Sequence, residues 1–370
     1  MQALRDFYKN KKVLVTGHTG FKGSWLTIWL KQLGAEVTGI ALEPKTDRDL
    51  FILAGLADKI QDYRQDIRDL DKVKTIFEKE KPEIVFHLAA QALVIPGYED
   101  PVLTFGTNVM GTVNILEACR HTGSVKQILI VTTDKVYENK ESLKGYNETD
   151  PLGGHDPYSA SKAAAEIITQ SYRLSFTHSP THPLTQSSNH PFSQSISTAR
   201  AGNVIGGGDW SDYRLVPDCV RSLEIGEPVI VRNPGSVRPW QHVLEPLAGY
   251  LLLAVKMAED PRKYSGAWNF GPEFADIISV EELVNLIVRH WGEGGWIVDN
   301  TDHKPHETAV LKLDISKSKQ ILGWRPVLNV DEAAGLTIEW YKKYPRQDVY
   351  KLCAGQIKQY SDKWNSGNLK

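Results

Sequence analysis

The residues most able to do chemistry in this sequence are a tyrosine and a lysine four positions apart, Tyr158 and Lys162. On a helix this spacing places both side chains on one face, within reach of the same bound molecule. A neighbouring ammonium favours the phenolate, which would make Tyr158 a general base near neutral pH. The alternative is a surface tyrosine beside a solvated lysine, so the interpretation depends on what surrounds the pair.

A second candidate is the polar triplet Thr133, Asp134 and Lys135, which follows the run 127–132. That run is apolar on both faces, a pattern that predicts a parallel strand covered by helices on each side. Doubly wound sheets bind their ligands at the carboxyl ends of such strands. We therefore expect the triplet to lie opposite Tyr158 and Lys162 across a bound molecule.

A third candidate is a glycine turn, in which a short apolar strand leads into Gly17, Gly20 and Gly23 and then a helix. The first glycine permits a tight turn, the second lets the backbone approach a pyrophosphate, and the third allows close helix packing. The context favours dinucleotide binding over a plain strand-to-helix turn. His18 and Lys22 either contact phosphates or occupy exposed loop positions.

The choice between NAD and NADP depends on the end of the second predicted strand. An acidic residue normally binds the adenosine ribose there, but the strand ends at Ala41. Glu43 is a possible substitute, whereas Lys45 and Arg48 are candidates to meet the 2′-phosphate of NADP. The sequence favours NAD only mildly.

The elements that must position these groups alternate between strand and helix. The alternation predicts an α/β fold, a doubly wound parallel Rossmann sheet with a smaller C-terminal α/β lobe for the substrate. The segments that carry the alternation are 12–16, 24–33, 36–41, 70–80, 84–88, 107–121 and 127–132.

We divide the chain into a dinucleotide-binding domain, 1–200, and a nucleotide-sugar lobe, 201–350, with part of 235–265 returning to the first domain. Residues 177–197 are rich in Ser, Thr, Pro, His and Gln and have no periodicity, which predicts a flexible surface loop. The three histidines of this loop have no carboxylate or cysteine beside them, so we expect no metal site.

Composition excludes several classes of function. A net charge of -2 provides no field for a nucleic acid or an anionic membrane, and no apolar run approaches the length of a membrane span. The three cysteines are widely spaced, which suits a reducing cytoplasm. We expect a cytoplasmic enzyme with a small-molecule substrate.

Together these motifs resemble the extended short-chain dehydrogenase/reductase family. Within it, the resemblance is to the nucleotide-sugar 4,6-dehydratases, specifically those acting on CDP-glucose. The matching segments occur in order along the chain, at 17–23, 66–69, 87–91, 108, 133–135, 158–162, 199–210 and 232–243.

The resemblance implies a reaction in which C4 of the sugar is oxidised, water is lost across C5 and C6, and the stored electrons return to C6. It implies NAD as cofactor, with NADP less favoured. The implied catalytic residues are Thr133, Asp134, Lys135, Tyr158 and Lys162. The implied cofactor contacts are Gly17, His18, Gly20, Phe21, Lys22, Gly23, Asp66, Ile67, Ala89, Ala90, Gln91, Asn108, Tyr158 and Lys162. The implied substrate contacts are Asn203, Arg238, Trp240, His242 and Glu307.

One position departs from the related TDP-glucose enzymes, which carry glutamate where this chain has Lys135. Asp134 remains the candidate acid, but the base at C5 is open. Lys135 can serve only if burial or nearby positive charge depresses its pKa. Otherwise it pairs with Asp134 or Glu138, and the proton leaves through another group or water.

Two other readings stay open. One is a different nucleotide-sugar dehydratase or a 4-epimerase; the other is a redox-sensing protein that binds a dinucleotide without catalysis. Trp210 and Trp240 either stack on the ligand or fill the core of the second lobe. By analogy, helices near 107–121 and 159–174 predict a homodimer or homotetramer. The product would feed the synthesis of deoxysugars for surface polysaccharide.

Overall fold

The computed structural model describes residues 1–140, 144–177, 194–299 and 311–367. The central feature is a seven-stranded sheet in the order β3-β2-β1-β4-β5-β6-β11, with every neighbouring pair parallel. This confirms the predicted doubly wound Rossmann sheet. The strands are β1 (Lys12–Thr16), β2 (Glu36–Ala41), β3 (Gln61–Arg64), β4 (Ile84–His87), β5 (Gln127–Val131), β6 (Ser195–Ala201), β7 (Val204–Ile205), β8 (Val229–Val231), β9 (Val237–Arg238), β10 (Gln241–His242), β11 (Gly266–Phe270), β12 (Ile278–Ser279) and β13 (Trp296–Val298).

Helices cover both faces of the sheet. They are α1 (Gln2–Tyr8), α2 (Phe21–Gln32), α3 (Leu50–Leu53), α4 (Leu70–Glu80), α5 (Val94–Glu99), α6 (Pro101–Phe105), α7 (Gly111–His121), α8 (Pro157–Phe176), α9 (Leu215–Glu224), α10 (Leu244–Glu259), α11 (Pro261–Tyr264), α12 (Val280–Trp291), α13 (Val330–Lys343) and α14 (Val349–Gly367). In β1, Val13 and Val15 join one hydrophobic core while Leu14 joins the other. Successive side chains of a strand point to opposite faces, so an apolar strand supplies both cores.

The smaller lobe is built from short strand pairs. β7 pairs with β10 and β8 with β13 in parallel, whereas β9 and β12 are antiparallel. Helices α9, α12 and α13 pack around these pairs. The lobe covers the carboxyl edge of the sheet, where the predicted catalytic residues lie.

Two boundaries differ from the sequence expectations. β6 begins at Ser195, so residues 195–197, the last three of the predicted loop, belong to the sheet. Residues 178–193, with the three histidines, lie outside the described residues. The C-terminal segment beyond Tyr344, which lacks a clear pattern, forms α14, and this helix packs against α2 of the first domain.

Candidate active site

The glycine turn has the geometry of a dinucleotide cradle. Gly17 has φ +73°, and a Cβ there would lie 2.7 Å from the amide nitrogen of Ala89. A Cβ at Gly23 would lie 2.1 Å from the Gly17 oxygen, so α2 packs directly on the turn. A Cβ at Gly20, the N-cap of α2, would meet among the described residues only the Gly17 oxygen, at 3.4 Å. The first and third glycines are needed by the protein itself, and the second leaves the helix N-terminus open to a phosphate.

His18 does not reach towards that open position. Its ring is completely buried above Gly39, where a Cβ would lie 2.4 Å from it, and Nε2 lies 2.7 Å from Asp62 Oδ1. The edge of the ring meets Phe51. The predicted phosphate contact is therefore replaced by a structural role, because the ring ties the turn to β2 and β3.

Lys22 points into the cleft and not into an exposed loop. Its Nζ lies 6.0 Å from the centroid of the Tyr250 ring. Burial, together with the nearby cations Arg214 and Lys162, lowers the pKa of Lys22 to about 7. The neighbouring Phe21 is half-buried and its ring packs towards Gly206 of the second lobe.

Asn108 holds the loop after β4 in place. It lies in a π-helical turn (Gly106–Met110), where its Oδ1 accepts from the Gln91 amide at 2.8 Å. Its Nδ2 donates to Gln91 O at 2.9 Å and to Ser161 Oγ at 2.8 Å. π-helical turns often mark functional sites. Asn108 thus joins this loop to α8 and leaves Ala90 and Gln91 half-buried at the sheet edge.

The predicted adenine loop after β3 has its side chains engaged with protein. Asp66 Oδ2 accepts from Arg68 Nε at 2.9 Å and from Nη2 at 2.6 Å, and this guanidinium holds the pKa of Asp66 below its ordinary value. Ile67 is buried against Gly111. Contact of either residue with an adenine stays a prediction.

Arg48 is engaged elsewhere and is not available to bind a 2′-phosphate. Its Nη2 donates to both oxygens of Glu224 at 2.8 Å and to Tyr344 Oη at 2.6 Å. The guanidinium lies 3.5 Å from the centroid of the Trp210 ring. Trp210 is buried here, which favours a packing role over stacking on a ligand. Of the two cations predicted to meet NADP, Lys45 is the exposed one.

Tyr158 and Lys162 lie on the first turns of α8, but the expected influence of Lys162 on Tyr158 is wrong for the cofactor-free protein. Lys162 Nζ donates to Val131 O at 2.8 Å, and burial lowers the pKa of Lys162 to about 8. Burial raises the pKa of Tyr158 to about 12. The Thr133 side chain and Arg214 oppose that increase, because they stabilise the phenolate.

Asp134 has the environment of an acid. It is 1% exposed, its Oδ1 accepts from Thr133 Oγ1 at 3.0 Å, and Oδ2 is buried without a hydrogen-bond partner among the described residues. Desolvation raises the pKa of Asp134, although Lys135, Thr133 and Arg238 act against it. A carboxyl that keeps its proton can deliver it to a departing hydroxyl.

Lys135 makes neither of its predicted ion pairs within the described ranges. Glu138 Oε2 instead lies 3.4 Å from Lys140 Nζ, and the Asp134 carboxyl bonds to Thr133. Lys135 itself is half-buried beside the cleft.

Three of the predicted substrate residues border the same cleft. Arg238 on β9 is close enough to Asp134 to act on its charge, and Gly202 brings Pro239 and Asp134 Oδ2 together. Asn203, half-buried, follows Gly202 and accepts from the Gln241 amide at 3.0 Å. Trp240 lies in the turn after Arg238.

The other two substrate predictions have different outcomes. His242 is completely buried; its Nδ1 accepts from the Leu244 amide at 3.3 Å, its ring meets the edge of Trp25, and burial lowers its pKa to about 3. It is a neutral core histidine in this conformation. Glu307 lies outside the described residues.

Sequence reasoning missed three groups at the site. Arg214 Nη1 donates to Asp209 Oδ2 at 2.8 Å, and Arg214 also lowers the pKa of Tyr158. Tyr250 on α10 buries its hydroxyl close enough to Tyr158 to interact with its charge. Neither Arg214 nor Tyr250 belongs to a recognisable motif. They reach the site only because α9 and α10 pack at the edge of the sheet in the folded protein.

Other features bear on the class of protein. Within the described ranges, no helix combines the length and apolarity needed to cross a membrane. The same ranges contain no group of three His, Cys, Asp or Glu side chains suited to a metal ion. Cys119, Cys219 and Cys353 are all buried free thiols.

Comparison with known proteins agrees with this geometry. A profile of the family described as GDP-mannose 4,6 dehydratase matches residues 14–336. The CDP-glucose 4,6-dehydratase of Salmonella typhimurium is 44% identical over 351 residues, covering 95% of this chain and 96% of that protein. The dTDP-D-glucose 4,6-dehydratase of Bos taurus is 29% identical, covering 90% and 89%.

A solved structure extends the similarity to three dimensions. The UDP-glucose 4-epimerase of Thermus thermophilus, determined in complex with NAD, superposes with a TM-score of 0.75 at 26% identity. The match covers 90% of this chain and 99% of the epimerase. The shared architecture therefore includes the sheet and the smaller lobe.

Proposed function

Because the chain belongs to the GDP-mannose 4,6 dehydratase family, we propose that it converts CDP-glucose into CDP-4-dehydro-6-deoxyglucose. The observation that carries the choice of substrate is the 44% identity, over nearly the whole of both chains, to a CDP-glucose 4,6-dehydratase. The same level of similarity makes it a hydro-lyase of the extended short-chain dehydrogenase/reductase family.

The cofactor is NAD, and the residues of the first domain fit it. Gly17 and Gly23 form the turn, and the open N-cap at Gly20 accepts the pyrophosphate. Arg48 is unavailable for the 2′-phosphate that distinguishes NADP. When bound, NAD would supply reversible oxidation and reduction of the sugar.

Oxidation at C4 requires a proton acceptor for the sugar hydroxyl. Tyr158 has that role, and its pKa of about 12 must fall when the site fills before the phenolate can form near neutral pH. Thr133, which interacts with Tyr158, holds the same hydroxyl. Lys162 would hold the ribose of the cofactor.

Loss of water follows because a ketone at C4 acidifies the C5 proton. Asp134 donates its proton to the C6 hydroxyl as the C6–O bond breaks, and the two leave together as water. The C5 proton passes to Lys135, which no carboxylate holds among the described residues. Lys135 returns this proton to C5 when C6 is reduced, and the proton that Tyr158 took from the C4 hydroxyl replaces the one that Asp134 gave. Water is therefore lost without net oxidation.

The second lobe recognises the nucleotide diphosphate. Arg238 is the main anchor, since a guanidinium binds phosphate oxygens in a bidentate manner. Asn203 and Trp240 border the same space.

The assay incubates the purified protein with NAD and CDP-glucose and follows the 4-keto-6-deoxy product by its absorbance in alkali. CDP-glucose should be turned over, with UDP-glucose, dTDP-glucose and GDP-mannose as the comparison substrates. Turnover of one of those three without turnover of CDP-glucose contradicts the substrate assignment. Formation of CDP-galactose instead would favour a 4-epimerase, which has no need for the acid at Asp134.

We also propose a homodimer formed through α6, the π-helical turn and α8. These packed elements expose Val102 (83%), Met110 (53%), Ile167 (56%) and Leu174 (58%). Exposed apolar patches of this kind mark interfaces. Sedimentation should show a dimer for the native protein and a monomer for Ile167→Asp.

The three unpaired thiols further suit a reducing compartment, the cytoplasm. Because the product carries a keto group, we expect the next enzyme to act on that carbonyl group in the synthesis of a deoxysugar.

A further inference from the structure

The loop that carries Thr133, Asp134 and Lys135 is anchored on both sides by one buried ion pair. The pair joins Glu166 on α8 to Arg200 on β6, with Arg200 Nη2 donating to Glu166 Oε2 at 2.9 Å. The two side chains are only 3% and 4% exposed. Hydrogen bonds to both groups offset part of the cost of burying these charges, although Arg200 Nε has no partner among the described residues.

The carboxylate of Glu166 holds the beginning of the loop. Its Oε1 accepts from the hydroxyl of Thr132 at 2.5 Å, and Thr132 directly precedes Thr133. Its Oε2 accepts from the hydroxyl of Thr198 on β6 at 2.7 Å. One side chain of α8 therefore joins the end of β5 to the middle of β6.

The guanidinium of Arg200 holds the end of the loop. Its Nη1 donates to the hydroxyl of Tyr137 at 2.8 Å, and it lies 4.8 Å from the centroid of that ring. The Tyr137 hydroxyl in turn donates to Asn269 Oδ1 on β11 at 2.7 Å. Thr132 and Tyr137 enclose the catalytic triplet, and both depend on the same pair.

Glu166 also lies one helical turn beyond Lys162, and two turns beyond Tyr158. The helix that carries the proposed base is thus bonded to the loop that carries the proposed acid. We propose that the Glu166–Arg200 pair is a positioning device, which sets the placement of Asp134 and Thr133 relative to Tyr158 and Lys162.

This proposal rests on the proposed function for its catalytic readout. Because errors of about 1 Å in the placement of reacting groups can lower rates about a hundredfold, loosening the pair should lower kcat. The binding of substrate depends on the second lobe, so KM should change little.

The test compares two isosteric variants of hydroxyls that bond to the same carboxylate. Thr132→Val removes the hydrogen bond between Glu166 and the residue that precedes the catalytic triplet. Thr198→Val removes the hydrogen bond between Glu166 and β6, at a position that is not next to the triplet. Both residues are buried, at 5% and 1% exposure, so the loss of packing and of one hydrogen bond is matched. Thr132→Ser keeps the hydroxyl and should restore kcat.

We expect Thr132→Val to lower kcat about 10- to 100-fold with KM within about threefold, while Thr198→Val stays within about threefold in both. Both variants should lower the melting temperature by similar amounts. Equal losses of kcat in the two variants, or no loss in either, would overturn positioning and leave a purely structural pair.

A second measurement does not depend on turnover. In the cofactor-free protein the charged neighbours of Lys162 are Glu166 on its own helix and Lys22 on α2, with the titratable His87 on β4. Glu166 raises the pKa of Lys162, so Glu166→Gln should lower it below about 8 when the Nζ signal is titrated by NMR. An unchanged titration contradicts the coupling, whereas failure of CDP-glucose turnover with a shifted titration contradicts only the substrate assignment.

Discussion

On the catalytic side of the cleft, Lys162 donates to Val131 O at 2.8 Å and Thr133 donates to Asp134 at 3.0 Å. On the lobe side, Trp240 Nε1 is buried without a hydrogen-bond partner among the described residues. The catalytic side is thus held largely by bonds within the protein, whereas the lobe side keeps this donor unmet. Unpaired buried donors carry a free-energy cost that a ligand or an ordered water relieves.

The difference suggests that the two sides of the cleft have different functions, proton transfer on one and nucleotide binding on the other. Groups that move protons need fixed geometry before the substrate arrives, and they are bonded to strands and helices of the sheet. Groups that bind the nucleotide can complete their bonds on binding. On the catalytic side, Asp134 Oδ2 is also buried without a partner among the described residues, and it is the oxygen we expect to carry the transferred proton. Changes on the two sides should therefore affect kcat and KM differently.

Tyr158→Phe should produce the largest effect. It removes the proton acceptor for C4 oxidation but keeps the aromatic ring and the packing of Cβ near Gly97, so turnover should fall at least about a thousandfold while NAD still binds. Steady-state rates and NAD titration by fluorescence measure the two quantities. Turnover within about tenfold of the native enzyme would show that another group is the base.

Asp134→Asn should have the next largest effect, because an amide cannot donate the proton that the C6 hydroxyl needs. Overall turnover should fall about 100- to 1000-fold. Oxidation at C4 should survive, so absorbance from reduced nicotinamide should build up in a single turnover.

The pH dependence gives a second check on Asp134. Burial raises the pKa of Asp134, so the protonated form that we consider active persists above the ordinary carboxyl range and is lost as pH rises. The native enzyme should therefore lose kcat on the alkaline side of this titration. A kcat that instead rises through this range would contradict the role of acid.

The sequence was sufficient for the fold and for the residues at the sheet edge. The glycine turn, the strand ending at Val131 and the Tyr158–Lys162 spacing are local patterns, and local patterns determine where a strand or helix begins. The doubly wound parallel sheet and the positions of Thr133 and Asp134 after β5 follow from them.

The partners of those residues could not be predicted, because they come from distant segments. His18 bonds to Asp62, which lies 44 positions away, and Arg48 bonds to Glu224, 176 positions away. No periodicity signals such pairings. Lys162 was expected to lower the pKa of Tyr158. In the structure, Lys162 Nζ donates to Val131 O, and burial has the largest effect on the pKa of Tyr158.

Arg238→Ala should change binding more than chemistry. Loss of a bidentate phosphate contact should raise KM for CDP-glucose about 10- to 100-fold, with kcat within about fivefold. Arg238→Lys should recover only part of the loss, because an ammonium cannot form the paired contact. The exposed Arg325 offers a matched control, and Arg325→Ala should leave both constants unchanged. A fall in kcat without a rise in KM for Arg238→Ala would contradict the proposal that the lobe side binds the nucleotide and the catalytic side moves protons.

Glu245 lies on α10, outside both sides of the cleft, and should affect turnover least. It accepts from the amides of Val327 and Leu328 and from the hydroxyl of Tyr360 at 2.7 Å, which fastens α14 to the first domain. No cation pairs with it in the described ranges, and burial raises its pKa from 4.5 to about 7.

The folded state therefore binds this proton more tightly than the unfolded state does. The resulting stability is fully present below pH 4.5 and is lost as pH rises through about 7, by on the order of 3 kcal/mol. Glu245→Gln keeps the acceptor but cannot ionise, so its free energy of unfolding should lack this decline. Urea titrations of both proteins between these pH values measure the difference, and kcat should stay within about twofold. Parallel stability curves would show that Glu245 does not remain protonated in the folded protein, and a large loss of kcat would show that the docking of α14 reaches the cleft.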